Sequence, residues 1–461
     1  LGLADRASHV LFPRDLGRVD IRLASDGTPY LIELNPLPSL RPNYSMMIGA
    51  RTKGLDEEEV LALIVRSAAE RYSLSLRPPL RPRGVHGEER PTVREAGIQI
   101  GRFPTGESNT LTDVEGVRVG HVTHREDGIS DPFGQGETVV RTGITAVVPN
   151  EESLFNDHLV AGGFILNGIG EMSGLTQAME WGWLETPILL TNSMSLGAVH
   201  AGIIQYMLDR QPDLGRKLSV VIPLIGETDD SFLNDVRLAS TTPDHAIEAI
   251  RNATDSPVEQ GSVGGGTGMI SFDFAGGIGS ASRVLPRELG GYTLGVLVQS
   301  NFGKMRNLTV EGQVVGKELD PLYPVEGRRL VDRGSVIVIV ATDAPLLSTQ
   351  LSRVAKRAAL GLGRVGSYAS STSGEIVFAF STGNRASREA KGMTRHLNLT
   401  FVTDEHVNPL YEATVEATEE AVLNAMFCSA GQSGREERWA PPVPTGAILK
   451  FLERGRQEEE G

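Results

Sequence analysis

The feature that most constrains the fold is the alternation of apolar runs with segments of helical periodicity, from about residue 94 to the end. The runs are rich in β-branched residues, as buried strands are, and lie at 143–149, 218–223, 293–298, 335–341 and 375–380. Apolar residues recur at helical spacing over 196–208, 245–252, 345–362 and 409–428. This mixture predicts a layered α/β or α+β domain whose sheets are covered by helices.

Composition and charge exclude several classes of protein. With 40% apolar and 22% charged residues, the 461-residue chain is expected to be globular. Its formal charge of -14 argues against nucleic-acid binding, because a phosphate backbone would be repelled. No uncharged apolar stretch of about 18 residues occurs, so no membrane span is expected. The first residues lack a secretory signal pattern, and we therefore predict a cytoplasmic location.

Cys428 is the only cysteine, so no intramolecular disulfide can form. It follows an apolar helical segment that ends in Asn-Ala-Met-Phe. We interpret it as a small apolar residue near the end of a helix, not as a reactive thiol.

Residues 1–75 are predicted to form a separate unit. Its expected elements are strands at 17–24 and 29–36, joined by a Ser-Asp-Gly turn, and a helix at 56–72. The Pro- and Arg-rich segment 76–93 lacks a core-forming pattern and is predicted to be a linker. The main domain is expected to cover 94–461.

The stretch GRVDIRLASDGTPYLIELNPLPSL in the front unit resembles the last strands of the ATP-grasp domain of D-alanine–D-alanine ligases. The resemblance places magnesium ligands at Asp20, Glu33 and Asn35, and Mg²⁺ does favour such oxygen ligands. No phosphate-covering Gly-rich loop or nucleotide-clamping lysine precedes them. We interpret this partial ATP-grasp fragment as a remnant whose metal site is unused; the alternative is one half of a larger fusion ligase.

In the main domain, Gly334-Ser335 opens an apolar strand that ends in Thr-Asp-Ala-Pro. Glycine permits backbone geometry that can hold strain at the bond before Ser335. If the Ser335 hydroxyl breaks that bond, an α-amino group appears on the same residue and can act as its base. The alternative is an ordinary Gly-Ser pair leading into a core strand.

Ser373 and Glu375 form a second candidate group, because side chains two residues apart on a strand share one face. A carboxylate beside a hydroxyl can orient it and relay a proton. The alternative is a polar turn that caps a core strand.

The Gly-rich segment 260–283 could cradle a phosphate, but it lacks the P-loop pattern and a following ribose-binding acid. It also holds Gly261-Ser262, a rival Gly-Ser bond for cleavage.

Eight ordered motifs make the main domain resemble the L-aminopeptidase/D-amidase-esterase and β-aminopeptidase family. They lie at 108–123, 141–149, 164–175, 226–235, 260–269, 295–303, 334–346 and 372–382. The resemblance implies a four-layer αββα sandwich and an enzyme that releases N-terminal residues from small peptides, amides or esters. It further implies a homo-oligomer, usually a tetramer, and a reaction that needs no cofactor or metal.

The resemblance also implies roles for particular residues. Cleavage falls at Gly334-Ser335, which gives an α chain to 334 and a β chain from 335 with Ser335 as nucleophile. Ser373 and Glu375 assist it. Asn301 supplies a hydrogen bond to the oxyanion, and Glu227 receives the substrate amine.

One position departs from the family pattern. Relatives often carry Tyr or Trp two residues after the Glu that matches Glu227, and this chain has Asp229. An ionised Asp cannot donate a hydrogen bond to an oxyanion, so its place in substrate binding is left open.

Two other functions are considered beside the hydrolase. An acyl transferase of the ornithine acetyltransferase type shares the architecture but cleaves before Thr, where this chain has Ser335. A non-catalytic scaffold is disfavoured by the intact motifs at Ser335, Ser373, Glu375 and Asn301. A fusion with ligase-like activity in the front unit is the remaining alternative.

Overall fold

A computed structural model describes residues 16–35, 38–41, 44–52, 57–72, 90–134, 136–149, 154–321, 334–389 and 393–460. The chain divides into two compact units, Leu1–Arg83 and Gly84–Gly461. No helix in the described part of the chain is long and apolar enough to cross a membrane.

The first unit contains a hairpin and two helices. Strands β1 (Arg18–Leu23) and β2 (Pro29–Asn35) pair antiparallel, and helices α1 (Ser45–Arg51) and α2 (Glu57–Arg71) follow. The turn of the hairpin is closed at Asp26, whose carboxylate accepts the backbone N–H of Thr28 at 2.9 Å. The hairpin and the second helix confirm the sequence prediction, and α1 was not predicted.

The strands of the second unit are β3 (Val117–Ser130), β4 (Glu137–Pro149), β5 (Asp157–Gly168), β6 (Met172–Ser173), β7 (Trp183–Leu184), β8 (Ile188–Asn192), β9 (Leu224–Thr228), β10 (Ile270–Ser271), β11 (Phe274–Ala275), β12 (Gly277–Val284), β13 (Thr293–Asn301), β14 (Gly334–Thr342), β15 (Ser373–Ser387), β16 (Gln432–Ser433) and β17 (Trp439–Ala440). Its helices are α3 (Leu175–Trp181), α4 (Leu196–Arg210), α5 (Pro243–Arg251), α6 (Gly316–Leu319), α7 (Ser348–Arg364), α8 (Asn408–Phe427) and α9 (Thr445–Glu460).

Two sheets form the centre of this unit. One has six strands in the order β12-β13-β14-β15-β5-β7, and the other has five in the order β3-β4-β8-β9-β6. Within the six-stranded sheet β14 and β15 are parallel, and they are flanked by antiparallel partners.

Three apolar cores separate four layers. Val336 and Val338 of β14 lie in a core shared with α7 and α8, whereas Ile337 and Ile339 lie in the core between the two sheets. A third core packs α4 and α5 on the outer face of the five-stranded sheet. Because β14 is buried on both faces, its sequence is apolar throughout instead of alternating. The layers therefore run helix, sheet, sheet, helix, as the αββα prediction requires.

The element predictions are confirmed except at a few points. The predicted strand at 218–223 is wrong: the strand β9 begins only after Pro223, which has no N–H to donate to a ladder. Helix α7 begins three residues later than predicted, at Ser348.

The second unit begins before the predicted boundary at residue 94. Val93 is fully buried in its core, and the guanidinium of Arg90 donates to the carbonyls of Phe427 and Val443 at 3.0 and 2.7 Å. Most of the predicted linker, residues 76–89, lies outside the described residues.

Candidate active site

Ser335 lies at the amino end of β14, in the middle of the six-stranded sheet. It pairs with Asn301 of β13 on one side and with Gly374 of β15 on the other. The residue is 6% exposed, and within the described part of the chain its hydroxyl has no assigned hydrogen bond. A hydroxyl at the end of a rigid strand is held in a fixed position, which suits it to act as a nucleophile.

Gly334 precedes it in extended backbone, and it is not among the described glycines with positive φ. The positive φ that glycine readily adopts is therefore not used at Gly334, and strain at the bond before Ser335 stays a prediction. What restricts the position is space, because a Cβ there would lie 2.9 Å from Cα of Phe302. Gly334 and Ser373 both line a small pocket whose other walls are 302–304 and 366–370.

The side chains around Ser335 divide between the two faces of the sheet. Side chains alternate along a strand, so Ser335 shares the face of Ile337, which is turned to the other sheet. Gly374 is on that same face, since a Cβ built on it would lie 3.6 Å from Cβ of Ser335. Ser373 and Glu375, one residue to either side, therefore lie on the opposite face.

Ser373 and Glu375 form a direct pair, as the sequence predicted from their spacing. The Ser373 hydroxyl donates to Oε1 of Glu375 at 2.5 Å. Oε2 of Glu375 is buried and has no hydrogen-bond partner among the described residues. Burial raises the pKa of the Glu375 carboxyl, and the hydrogen bond from Ser373 opposes that shift in part. The pair can therefore accept a proton more readily than an exposed carboxylate would.

Asn301 is held by two hydrogen bonds that fix the orientation of its amide. Its Oδ1 accepts the backbone N–H of Ile270 at 3.0 Å, and its Nδ2 donates to the carbonyl of Asp229 at 2.7 Å. Because Asn301 pairs with Ser335 across the ladder, its side chain lies on the same face of the sheet as that of Ser335.

Glu227 lies in the five-stranded sheet, on β9, and is 6% exposed. Its carboxylate accepts the backbone N–H of Glu171 at 2.8 Å and the hydroxyl of Ser193. Burial raises the pKa of Glu227, and the carboxylates of Asp229 and Glu171 raise it further. The turn before Glu171 also contacts the other sheet, since a Cβ on Gly374 would lie 2.0 Å from the carbonyl oxygen of Ile169. This turn links Glu227 to the strands that hold Ser335.

The side chain of Asp229 is exposed and accepts the backbone N–H of Ser231 at 2.8 Å. Its own loop thus holds the carboxylate, while its carbonyl holds Asn301. Asp229 therefore contributes to the site through its main-chain carbonyl. The identity of its side chain could not have indicated this role.

Three further residues near the site were not predicted. Ser193 donates to Glu227, and Asn167 donates to the carbonyls of Ser370 and Ser373. Gln299 joins the two sheets. The Gln299 amide donates to the carbonyl of Thr191 and to the hydroxyl of Thr228, both at 2.8 Å. These contacts join distant parts of the chain, so the sequence does not indicate them. The exception is Gln299, whose position two residues before Asn301 is visible in the sequence.

The Gly-rich segment packs internally and is not shaped as a phosphate cradle. A Cβ on Gly265 would come within 2.2 Å of Oε1 of Gln299, and one on Gly266 within 2.3 Å of the Ile278 nitrogen. The hydroxyl of Ser262 is buried and donates to the carbonyl of Gly276 at 3.1 Å. The glycines therefore allow close packing between the sheets, and Ser262 is committed to that packing.

Cys428 caps α8, and burial raises the pKa of its thiol to about 12. The half-buried thiol is therefore protonated at neutral pH, in agreement with its interpretation as an unreactive residue near the end of a helix.

In the first unit the predicted magnesium ligands are brought together only in part. Asp20 and Glu33 are paired across the hairpin, and Arg18 bridges both carboxylates at 2.9 and 3.3 Å. Asn35 pairs with Arg18 at the end of the same ladder. The Arg18 guanidinium lowers the pKa of Asp20. No cluster of three or more His, Cys, Asp or Glu side chains suited to a metal occurs among the described residues.

The arrangement of the second unit matches known proteins. The chain is 36% identical over 386 residues to beta-peptidyl aminopeptidase BapA of Sphingosinicella microcystinivorans, covering 80% of this chain and 95% of the relative. A beta-aminopeptidase of Burkholderia sp. has a solved structure with 37% identity and a TM-score of 0.71, covering 79% of this chain and 99% of that one.

A third match identifies the class of fold. The L-aminopeptidase D-Ala-esterase/amidase of Ochrobactrum anthropi, described as a prototype of the serine aminopeptidases and a variant of the Ntn hydrolase fold, is 34% identical with a TM-score of 0.72. The match covers 79% of this chain and 98% of that one. The profile of peptidase family S58 matches residues 109–440. The chain therefore belongs to peptidase family S58, with a mixed α/β fold of the Ntn hydrolase kind, and is a hydrolase of the aminopeptidase class.

Proposed function

We propose that the protein cleaves its own chain between Gly334 and Ser335 and then uses Ser335 to hydrolyse small aminoacyl peptides, amides and esters. The observation that carries the proposal is the position of Ser335 between Asn301 and Gly374, one residue from the hydrogen-bonded pair of Ser373 and Glu375.

The cleavage step moves one acyl group. The Ser335 hydroxyl attacks the carbonyl of Gly334, the peptide C–N bond breaks, and the nitrogen takes up a proton as the α-amine of Ser335. Water then hydrolyses the resulting ester, which leaves a carboxylate on Gly334 and restores the hydroxyl. The freed amine can serve as base for that hydroxyl in later turnovers.

The division between sheet faces gives each group a separate task. Ser373 and Glu375 lie on the face away from the Ser335 hydroxyl, so they act on the nitrogen of Ser335, which lies within the plane of the sheet. Their buried carboxylate takes up and returns the proton that the amine removes from the hydroxyl.

The substrate occupies the face that is turned to the second sheet. Glu227 receives its ammonium group, and Asn301 stabilises the oxyanion, an interaction worth about 3 kcal/mol in comparable sites. Because burial and the neighbouring carboxylates disfavour the charged form of Glu227, a bound ammonium is the partner that restores it. Both the beta-peptidyl aminopeptidases and the L-aminopeptidase among the relatives support an N-terminal amino acid residue, β or α, as the acyl part.

Two predictions concern the rest of the molecule. The similarity of residues 1–75 to an ATP-grasp fragment stays a prediction, and titration with magnesium and ATP tests whether Asp20, Glu33 and Asn35 bind a nucleotide. The homo-oligomeric state and the cytoplasmic location also stay predictions.

The experiment that tests the proposal is intact-mass measurement of the purified wild type and the Ser335→Ala variant under denaturing conditions. We expect two wild-type fragments that meet at 334/335 and a single chain for the variant. Only the wild type should hydrolyse aminoacyl p-nitroanilides. A folded wild type that hydrolyses these substrates while its chain stays intact would contradict the mechanism.

A further inference from the structure

The end of β5 carries an irregularity directly beside the Ser373–Glu375 pair. In the ladder between β15 and β5, Glu375 is opposite Asn167, whereas the next residue, Ile376, is opposite Ile165. Leu166 is thus an extra residue on β5, in the manner of a β-bulge. Bulges of this kind re-aim side chains next to active sites. Here the bulge places Asn167 opposite Glu375, where a regular ladder would have placed Leu166.

The amide nitrogen of Asn167 donates twice to one turn of the chain. Its Nδ2 donates to the carbonyl of Ser370 at 2.7 Å and to the carbonyl of Ser373 at 2.5 Å. The backbone N–H of Ser373 donates to the same carbonyl of Ser370 at 2.9 Å, which closes the turn of residues 370–373. Asn167 therefore binds both ends of this turn.

The turn sets the position of the Ser373 hydroxyl. Ser373 is the last residue of the turn and the first of β15, so one side of its backbone is held by the sheet and the other by Asn167. The same turn supplies Ser370 to the pocket beside Gly334. A shift of the turn would move Ser373 away from both Glu375 and the backbone of β14.

We propose that Asn167 is a positioning residue for the reaction of Ser335: its amide fixes the 370–373 turn so that the Ser373 hydroxyl stays on the Glu375 carboxylate. The inference rests on the proposed function, since it presumes that this pair handles the proton of the Ser335 amine. Asn167 itself acts on the reacting atoms only through Ser373.

The test compares Asn167→Asp with Asn384→Asp. Aspartate keeps the shape of asparagine but loses both N–H donors. Asn384 offers a matched control, because its Nδ2 also donates to a main-chain carbonyl, that of Thr400 at 2.7 Å. It lies near the far end of β15, the strand that Ser373 begins. For each variant, the rate of chain cleavage and the kcat and KM of the cleaved enzyme toward aminoacyl p-nitroanilides are measured well below the melting temperature.

We expect Asn167→Asp to slow cleavage and to lower kcat by about tenfold or more, with KM within about twofold of wild type. Asn384→Asp should leave all three values within about twofold, since its lost hydrogen bond affects only stability. If Asn167→Asp does not fold, Asn167→Ser, which keeps one donor, is measured in the same way.

Two results would overturn the inference: wild-type kcat and cleavage rate in a folded Asn167 variant, or an equal loss of kcat in the Asn384 control. Absence of cleavage and hydrolysis in the wild type would instead refute the proposed function, so the two failures are distinguishable.

Discussion

Glu227 is the side chain whose charge is expected to select substrates with a free amine. It is buried, and its carboxylate is fixed by Ser193 and by the backbone of Glu171. Replacing it by glutamine keeps the shape and removes the charge that an ammonium group requires. We expect Glu227→Gln to raise KM for aminoacyl p-nitroanilides by about tenfold or more, because a buried charge pair loses one partner.

The control for this change is Glu248→Gln, which alters an exposed carboxylate of α5 that is not among the groups shifting the pKa of Glu227. Its KM should stay within about twofold of wild type. A p-nitrophenyl ester without an amino group provides a second comparison. If Glu227→Gln slows that ester as much as the aminoacyl substrate, Glu227 does not bind the amine.

Asp230 makes the stability of the protein depend on pH. It is fully buried, and burial raises its pKa from 3.8 to about 7. The folded chain therefore holds a proton that the unfolded chain releases near pH 4. Asp230 therefore contributes its full share of the free energy of unfolding below pH 3.8. This contribution decreases as the pH rises toward 7 and stays constant above pH 7.

Asp230→Asn removes this dependence, since an amide does not titrate. We expect the melting temperature of the variant, relative to wild type, to increase when the pH is raised from 5 to 8. An exposed carboxylate that is not among the groups shifting the pKa of Asp230 gives the control, because Asp209→Asn should show the same relative melting temperature at both values. A relative melting temperature of Asp230→Asn that stays constant over this interval would show that Asp230 is already ionised in the folded protein at pH 5.

At the level of strands and helices, much of the fold follows from local sequence. The strands β13, β14 and β15 were predictable because both faces of a central strand are buried, which gives continuous apolar runs. The run at 218–223 has the same composition, yet Val220 is 67% and Ile222 42% exposed, and the strand starts after Pro223. Composition cannot distinguish these cases, because burial depends on which segments pack nearby.

The candidate site was predictable only along single strands. The spacing of Ser373 and Glu375 correctly placed both on one face, and their hydrogen bond agrees with it. The spacing could not show that Ser335 uses the other face, because that depends on the register of two strands about forty residues apart in sequence. For the same reason neither Asn167 nor Ser193 was found, since each meets its partner through folding alone.

The order of strands decides what happens to the whole molecule once the chain is cut. The β chain would contribute β14 and β15, which lie side by side in the six-stranded sheet. On their outer sides they pair with β13 and β5, both from the α chain. Each fragment thus completes the sheet of the other, and neither can leave without breaking a full ladder of backbone hydrogen bonds.

Buried ion pairs join the same two fragments on the helix side. The guanidinium of Arg283, from the α chain, donates to Glu416 and Glu420 of α8, at 2.9 and 2.7 Å. Arg94 also donates to Glu420, at 2.6 Å. Separation would leave these buried charges without partners, at a cost of about 3–5 kcal/mol for a broken buried pair.

We therefore expect the cleaved protein to elute from a size-exclusion column as one species, at the same volume as the uncut Ser335→Ala variant. Dilution to nanomolar concentration should not separate the fragments, whereas urea should release both at the unfolding transition. Arg283→Met, introduced into the uncut variant, should lower the urea concentration at the midpoint of unfolding, because Glu416 and Glu420 lose their shared cation. Fragments that separate without unfolding would mean that the interleaved strand order does not hold the two chains together.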